Sequence, residues 1–424
     1  MHRHFLGVTA ATAALGMTAT LAGCGSSSGS SEVTLRLVAA DYDVDGGQSS
    51  KDYWAGIASE FESQNPGVKL QVQIESWNDV DRKVAEMVKA GKAPDIAQIG
   101  AYADYAADGK LYAAEDLLSI PVQANFLPPL TDAGEHRRVQ YGLPFVASTR
   151  LLFYNKKLFE DAGISKPPQT WAELRDSARK LKENTEVEYP FALPLGPEEA
   201  QAETMMWLLG NGTEGYVESG GSYVIASEPN IDTFEWLKAN LVEKKLTGPV
   251  APGKLNRKEA FAAFTRGEVG MLNGHPSLMH TAEKAGIELG KVPMPGRNGR
   301  PKAAMGVADW IMGFKQNGNR AEIGKFMNFL FDDKNVLDFA AENALLPVTI
   351  SASEAMKEDP EHQHLREFLE ALPTSLLPPV GKTSWAAVSE DIKQRIGQAV
   401  APGSDPREVL GAIAQRAAAA EASE

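Results

Sequence analysis

Apolar and polar positions along this chain keep switching between two periods. Residues 33–39, VTLRLVA, alternate as a strand with one buried face does, and DYWAGIASEFESQNPG (52–67) then takes helical spacing until Asn65-Pro66-Gly67 stops it. VKLQVQIES (68–76) alternates cleanly, DVDRKVAEMVKAGKAPD (79–95) is helical up to Gly91 and Pro94, and DIAQIG (95–100) is a short apolar strand. DYAADGKLYAAEDLL (104–118) adds a helix and a turn at Gly109. A β-α-β-α-β-α order predicts an α/β architecture, an open sheet with helices on its faces. In such sheets ligands sit beyond the carboxyl ends of the strands. Those ends are the loops 40–48, 76–79 and 100–104, which carry Asp41, Asp43, Trp77, Asn78, Tyr102 and Asp104. Polar groups interleaved with aromatic faces suit a polyhydroxyl ligand.

Local signals agree further along. Thr170 is placed to cap a helix with Glu173 as its capping-box partner, after the stiff Pro167-Pro168 approach. Residues 319–338 put Ile323, Phe326, Phe329 and Leu330 on one helix face that packs on a sheet.

The loop after the first strand is unusual. Asp41, Asp43, Asp45, Gly46 and Asp52 approach the spacing of a calcium loop. A strand precedes it and a helix follows, so it is not a helix-loop-helix EF-hand, and Asp52 reaches less far than the Glu that closes such loops. Three readings compete: a ligand-contacting loop, a strand-loop-helix calcium site, and a solvated turn. The first is adopted, with Asp41 and Asp43 on the ligand and no metal.

The N-terminus sets the expected compartment. Arg3 heads an apolar stretch from residue 5 to 22, too short and too weakly apolar for a lasting membrane span, and a Gly/Ser segment follows. At the junction stands Leu21-Ala22-Gly23-Cys24, holding the chain's one cysteine. This resembles a bacterial lipobox, which implies that residues 1–23 are a signal peptide. Cys24 is then the lipidated first residue, and residues 24–31 tether the body to the outer face of the cell membrane. A net charge of −14 argues against nucleic acid or anionic lipid as a partner of the body.

Four segments carry a wider resemblance. YGLPFVASTRLLFYNKKLFEDAGISKPPQTWAEL (141–174) is similar to the most recognisable stretch of the extracellular solute-binding proteins of ABC transporters, in the carbohydrate-binding, maltose-binding-protein-like group, family 1. AGKAPDI (90–96), AFTRGEVGMLNGH (263–275) and residues 305–348, beginning MGVADW, match in order and spacing. The resemblance implies a two-lobed periplasmic-binding-protein fold with three hinge crossovers, near residues 144–146, 292–295 and 346–348. The first lobe would hold 32–145 and 295–346, and the second 146–294 and 347–424. A ligand would be buried between them by hinge closure.

Within that frame Arg150 leaves the first hinge toward the cleft, and Asp309 and Trp310 stand at its rim. Trp77 and Trp310 fall in loops as stacking platforms, whereas Trp54, Trp171 and Trp236 sit on helix patterns and read as core. Trp207 divides evenly between cleft and core. Asn273 and His275 in MLNGHPSL are further candidates, although sugar-binding relatives often have a Trp a little beyond this point, where this chain has His-Pro-Ser.

Catalytic constellations mostly fail, and the carboxylate pair of a glycosidase is left open by spacing, because 56 acids supply many accidental pairs. There is no His-Glu-x-x-His or Walker loop, and Gly-x-Ser-x-Gly occurs only within the Gly/Ser tether. Ser177-x-x-Lys180 lies in a charged helix without a Lys-Thr-Gly downstream, and His362-x-His364 lies in a polar stretch. No motif requires a cofactor. The expectation is therefore a receptor, not an enzyme: a monomer on a lipid anchor that captures a sugar or oligosaccharide and passes it to ABC permease subunits. A glycerophosphodiester or polyol receptor of the same fold, a secreted glycan hydrolase and a calcium-dependent adhesin are the rivals.

Overall fold

The computed structural model describes residues 32–42, 49–77, 79–218, 221–299, 301 and 303–424. Its strands are β1 (Val33–Asp41), β2 (Val68–Ser76), β3 (Ile96–Ile99), β4 (Glu135–His136), β5 (Val139–Gln140), β6 (Leu143–Thr149), β7 (Leu151–Asn155), β8 (Tyr189–Phe191), β9 (Val269–Gly274), β10 (Leu289–Val292) and β11 (Gly306–Gly313). They form two main sheets, in the orders β2-β1-β3-β11-β6 and β10-β7-β9-β8. In the first, β1 runs parallel to β2 and β3, while β11 is antiparallel to both β3 and β6. The second has β7 antiparallel to β9 and β10, with β8 parallel to β9.

Burial follows the pattern of the sequence. Edge strand β2 alternates between buried and exposed positions near its start, whereas β3 and β6 are buried along their whole lengths. Helices Ser49–Gln64 and Val80–Lys89 fall where helical spacing places them. Thr170 caps the helix Trp171–Asn184: its hydroxyl accepts the Glu173 N–H at 3.2 Å, and Glu173 Oε2 accepts the Thr170 N–H at 3.1 Å. The expected single helix over 319–338 is instead two, Arg320–Leu330 and Asp333–Glu342, broken at Phe331-Asp332. Its four named apolar residues are nonetheless buried together.

The two sheets meet at a narrow joint. β6 ends at Thr149 and β7 begins at Leu151, so one residue, Arg150, carries the chain from one sheet to the other. Residues 144–146, where the first crossing was expected, lie inside β6, because pairing with β11 extends to Thr149. Residues 293–305 make the second passage, between β10 and β11. Trp171 Nε1 anchors that segment by donating to Pro295 O at 3.0 Å. Leu346 pairs with Ala147 of β6 through two backbone hydrogen bonds of 2.8 and 3.0 Å.

Beyond Leu346 the chain stays beside the first sheet for a while. Leu127 N–H donates to Val348 O, Ile350 N–H to Asn125 O, and Ser351 bonds Asn125 and Asp333. Leu376 then pairs with Ala304 and Gly306, and Trp385 joins the apolar cluster of the second sheet. The third passage thus follows residue 376. One apolar cluster runs through the joint, taking Leu35, Phe61, Phe145 and Phe368 from the first side and Phe153 and Phe264 from the second.

Candidate ligand-binding cleft

Two polar walls face each other across the joint. On the first, the end of β1 delivers Tyr42, whose hydroxyl donates to Asp309 Oδ2 at 2.8 Å and accepts from Gln98 Nε2 at 2.8 Å. Gln98, buried in β3, accepts the Ala40 N–H with its own oxygen, so the direction of the whole chain is fixed. Tyr42 meets Trp77 edge to face, with centroids 5.4 Å apart. Asp81, beside Trp77 at Gly100, accepts the Ala101 N–H at 3.0 Å.

Asp309 and Trp310 are consecutive in β11 and so point to opposite faces of the sheet. The register shift at this point leaves Phe145 of β6 as the extra residue of a bulge. Here Asp309 turns to the cleft and Trp310 to the core. Burial pushes the Asp309 carboxyl up to about 7; the Tyr42 hydroxyl opposes this, and the neighbouring Asp81 adds to it. Burial, reinforced by Asp309, likewise raises the Tyr42 phenol, so Tyr42 remains a neutral donor.

The second wall is a buried ion network. Arg150 pairs with Glu199, just ahead of the helix Ala200–Gly210, and Arg257 pairs with both Glu199 and Glu198. Burial alone would raise Glu199, but Arg150 and then Arg257 hold it below the ordinary carboxylate value. The charges of Arg150 and Glu199 are felt at Asp309, so this network lies opposite the first wall. Burial, then Arg150 and Arg257, lower His275 well below its usual value. The neutral ring accepts from Arg257 at Nε2 (2.8 Å) and bonds the Ser277 hydroxyl at Nδ1 (2.8 Å).

Deeper in the same wall, Glu203 Oε1 accepts from Trp207 Nε1 at 2.9 Å and from Asn273 Nδ2 at 2.6 Å. Burial pushes Glu203 up to about 7 against these two hydrogen bonds. Asn273, Glu203, Arg150 and His275 line one pocket.

Of the residues chosen from sequence, Trp77, Asp309, Arg150, Asn273 and His275 stand on these walls. Arg150 is closed in by its ion pair rather than open to a ligand. Asp41 ends β1 next to Tyr42 and pairs in register with Ser76. Three others need correction. Tyr102 is fully buried, its hydroxyl donating to the Ala133 and Glu135 carbonyls. Trp310 is fully buried against Tyr102, at 5.4 Å between centroids, because it lies in β11 and not in a loop. Trp207 is fully buried among Trp171, Phe191 and Trp236, and acts on the cleft only through its bond to Glu203. No face of these three rings is open for stacking. Asp104 is exposed in a separate groove with His136, Lys382 and Glu424.

Asp43, Asn78 and Cys24 lie outside the described residues. Asp52 sits in the first turn of a helix, and no group of three or more potential metal ligands occurs among the described residues. Sequence reasoning missed Tyr42, Asp81, Glu199, Glu203 and Arg257. Glu203 had a legible signal, an acid inside the otherwise apolar run AETMMWLLG, four residues before a Trp.

Comparison with known proteins agrees with this architecture. The sequence profile of the bacterial extracellular solute-binding proteins matches residues 47–337. A protein of Brucella abortus (strain 2308) named only as a binding protein is 27% identical over 390 residues, 90% of this chain and 92% of that one. The diacetylchitobiose-binding protein of Streptomyces coelicolor is 29% identical over 150 residues, 35% of each chain. Among solved structures, the cyclic α-maltosyl-1,6-maltose-binding protein of Arthrobacter globiformis superposes with a TM-score of 0.77 at 17% identity, covering 92% of this chain and 100% of that one. The two-lobed α/β fold is therefore that of the periplasmic binding proteins, and its family consists of receptors, not enzymes. This chain belongs to the bacterial extracellular solute-binding protein family.

Proposed function

We propose that this protein is the solute receptor of an ABC importer, that it takes a mono- or oligosaccharide between its two lobes, and that it presents the closed form to the membrane permease. The carrying observation is the pairing, on the first wall, of the Trp77 and Tyr42 rings with the Asp309 and Asp81 carboxylates. Ring faces take the apolar faces of a sugar, and carboxylates take its hydroxyls. Leaving one such buried acceptor unpaired by the wrong epimer costs about 1–3 kcal/mol, which gives selectivity without covalent chemistry. The relatives named for diacetylchitobiose and cyclic α-maltosyl-1,6-maltose support this ligand class.

Closure is a population shift, and the sugar must bind the closed state better than the open one. Arg150, the single residue between β6 and β7, is the natural pivot, with the first sheet forming one lobe and the second sheet the other. The Leu-Ala-Gly-Cys junction and its Gly/Ser tether support a lipid anchor at Cys24, and a single copy suffices for capture. Replacing Cys24 by Ala should release the protein into the medium.

The test of the reading is recovery of the ligand. A sugar that saturates the protein at one equivalent should be recovered chemically unchanged after denaturation, and Trp77→Ala should weaken its binding at least tenfold. A converted sugar would mean a hydrolase.

A further inference from the structure

The two walls of the cleft are unequally supplied with hydrogen-bond donors and acceptors. Two of their cations are already engaged, Arg150 with Glu199, and Arg257 with Glu198, Glu199 and His275, and the charge of a third, Lys393, is felt at Asp81 and Glu199. The neutral donors are committed as well, Tyr42 to Asp309 and both Trp207 and Asn273 to Glu203. The acceptors are not. Asp309 has no ion-pair partner among the described residues, and its Oδ1 has no hydrogen-bond donor there. Among the described residues Asp81 receives only backbone N–H groups, and Glu203 only the two neutral donors.

A second observation, on the opposite wall, points the same way. Asn273 is 4% exposed, and its Oδ1 has no partner although it lines the pocket with Glu203 and Arg150. Its orientation is set by the 2.6 Å bond from Nδ2 to Glu203, so the free oxygen cannot be exchanged for the amide nitrogen without breaking that bond. A buried carbonyl held open in this way is available to a donor from outside the chain.

Carboxylates crowded in low dielectric need positive charge as well as hydrogen bonds. A sugar hydroxyl fills one lone pair of Asp309 and leaves its charge uncompensated. An ammonium group supplies both, and beside the Tyr42 and Trp77 rings it also gains cation–π attraction. Anionic ligands, such as sugar phosphates or uronic acids, would meet the Asp309 carboxyl, which has no ion-pair partner among the described residues.

We propose that the cleft selects a sugar carrying a free, protonated amine, with the ammonium at Asp309, a ring on Trp77, and a hydroxyl or N–H donor at Asn273 Oδ1. This deepens the sugar-receptor reading and rests on it. Acetylating the amine removes both the charge and two of its hydrogens, so N-acetyl sugars are discriminated against by the same geometry.

Calorimetric titration of the purified protein at pH 7 with matched sets tests this: glucosamine, N-acetylglucosamine and glucose, then chitobiose with free amines, diacetylchitobiose and cellobiose. The expected result is at least tenfold tighter binding of the free-amine member of a set. Asp309→Asn should remove that preference, weakening the free-amine member of a set at least tenfold more than it weakens the neutral members. If Asp309→Asn does not fold, the wild-type comparison still decides, because it needs no variant. Neutral or N-acetylated members binding as tightly as the amine would overturn the cation inference and leave the sugar receptor standing. Binding of no sugar in either set, nor of maltose or maltotriose, would overturn both.

Discussion

Glu203 offers a stability test that needs no ligand. Its carboxyl is buried at 4% exposure, accepts two neutral donors and is pushed up to about 7, chiefly by burial. An unfolded Glu titrates near ~4.3, and at about 1.4 kcal/mol per pH unit the gap corresponds to about 3–4 kcal/mol. Between these two values the folded state binds more protons than the unfolded state, so the stabilisation is complete below pH ~4.3 and is lost as pH rises through 7. Glu203→Gln keeps an oxygen for Trp207 Nε1 and Asn273 Nδ2 but cannot ionise. The variant should match the wild type within about 1 kcal/mol at pH 5 and exceed it by about 3 kcal/mol at pH 8. Asp309, also raised to about 7, tilts both proteins alike and cancels in the difference. Urea unfolding followed by circular dichroism at pH 5, 6, 7 and 8 measures it. A wild-type-to-variant difference that does not change with pH, or a variant that loses ground at pH 8, would refute the reasoning.

Three further outcomes are expected. Trp310→Ala should cost about 3–5 kcal/mol in urea unfolding because the ring is fully buried, whereas Trp77→Ala should cost far less and act on sugar affinity. Gly134→Ala should lose about 1–3 kcal/mol, since its Cβ would lie 2.2 Å from Gly142 O and 3.2 Å from the Trp310 ring; thermal melting reads this directly. Thr170→Ala should lower stability by about 1 kcal/mol through loss of the capping box, and Thr170→Ser should restore most of it.

Much of the fold was readable because local and tertiary signals coincide. The alternation of VKLQVQIES, the Thr170–Glu173 box and the stops at Gly91 and Gly109 depend on neighbours a few residues away, and all appear where the pattern places them. The site was less readable, because its geometry arises from long-range pairing. Trp310 reads as a loop aromatic until β11 is known to lie between β3 and β6, and strand alternation then separates a cleft-facing Asp309 from a buried ring. Tyr42 stands between Asp41 and Asp43 with no local signal of its own, and its bond reaches Asp309, 267 residues away. The break at Phe331-Asp332 was hidden because apolar spacing continues through it. The passage at Arg150 likewise depends on β6 and β7 lying in different sheets, which no local pattern encodes.

The central claim, that the two lobes close over a sugar, is tested most directly by a thermal-shift screen of the purified protein against neutral, N-acetylated and free-amine sugars, glycerophosphodiesters and calcium, each with and without EDTA. Ligand that binds only the folded state adds about 2.7 kcal/mol of stability at a hundred times its dissociation constant. The account predicts a melting temperature raised by a sugar, saturable and unaffected by EDTA. A rise that follows calcium alone, or glycerophosphodiesters and no sugar, would contradict it.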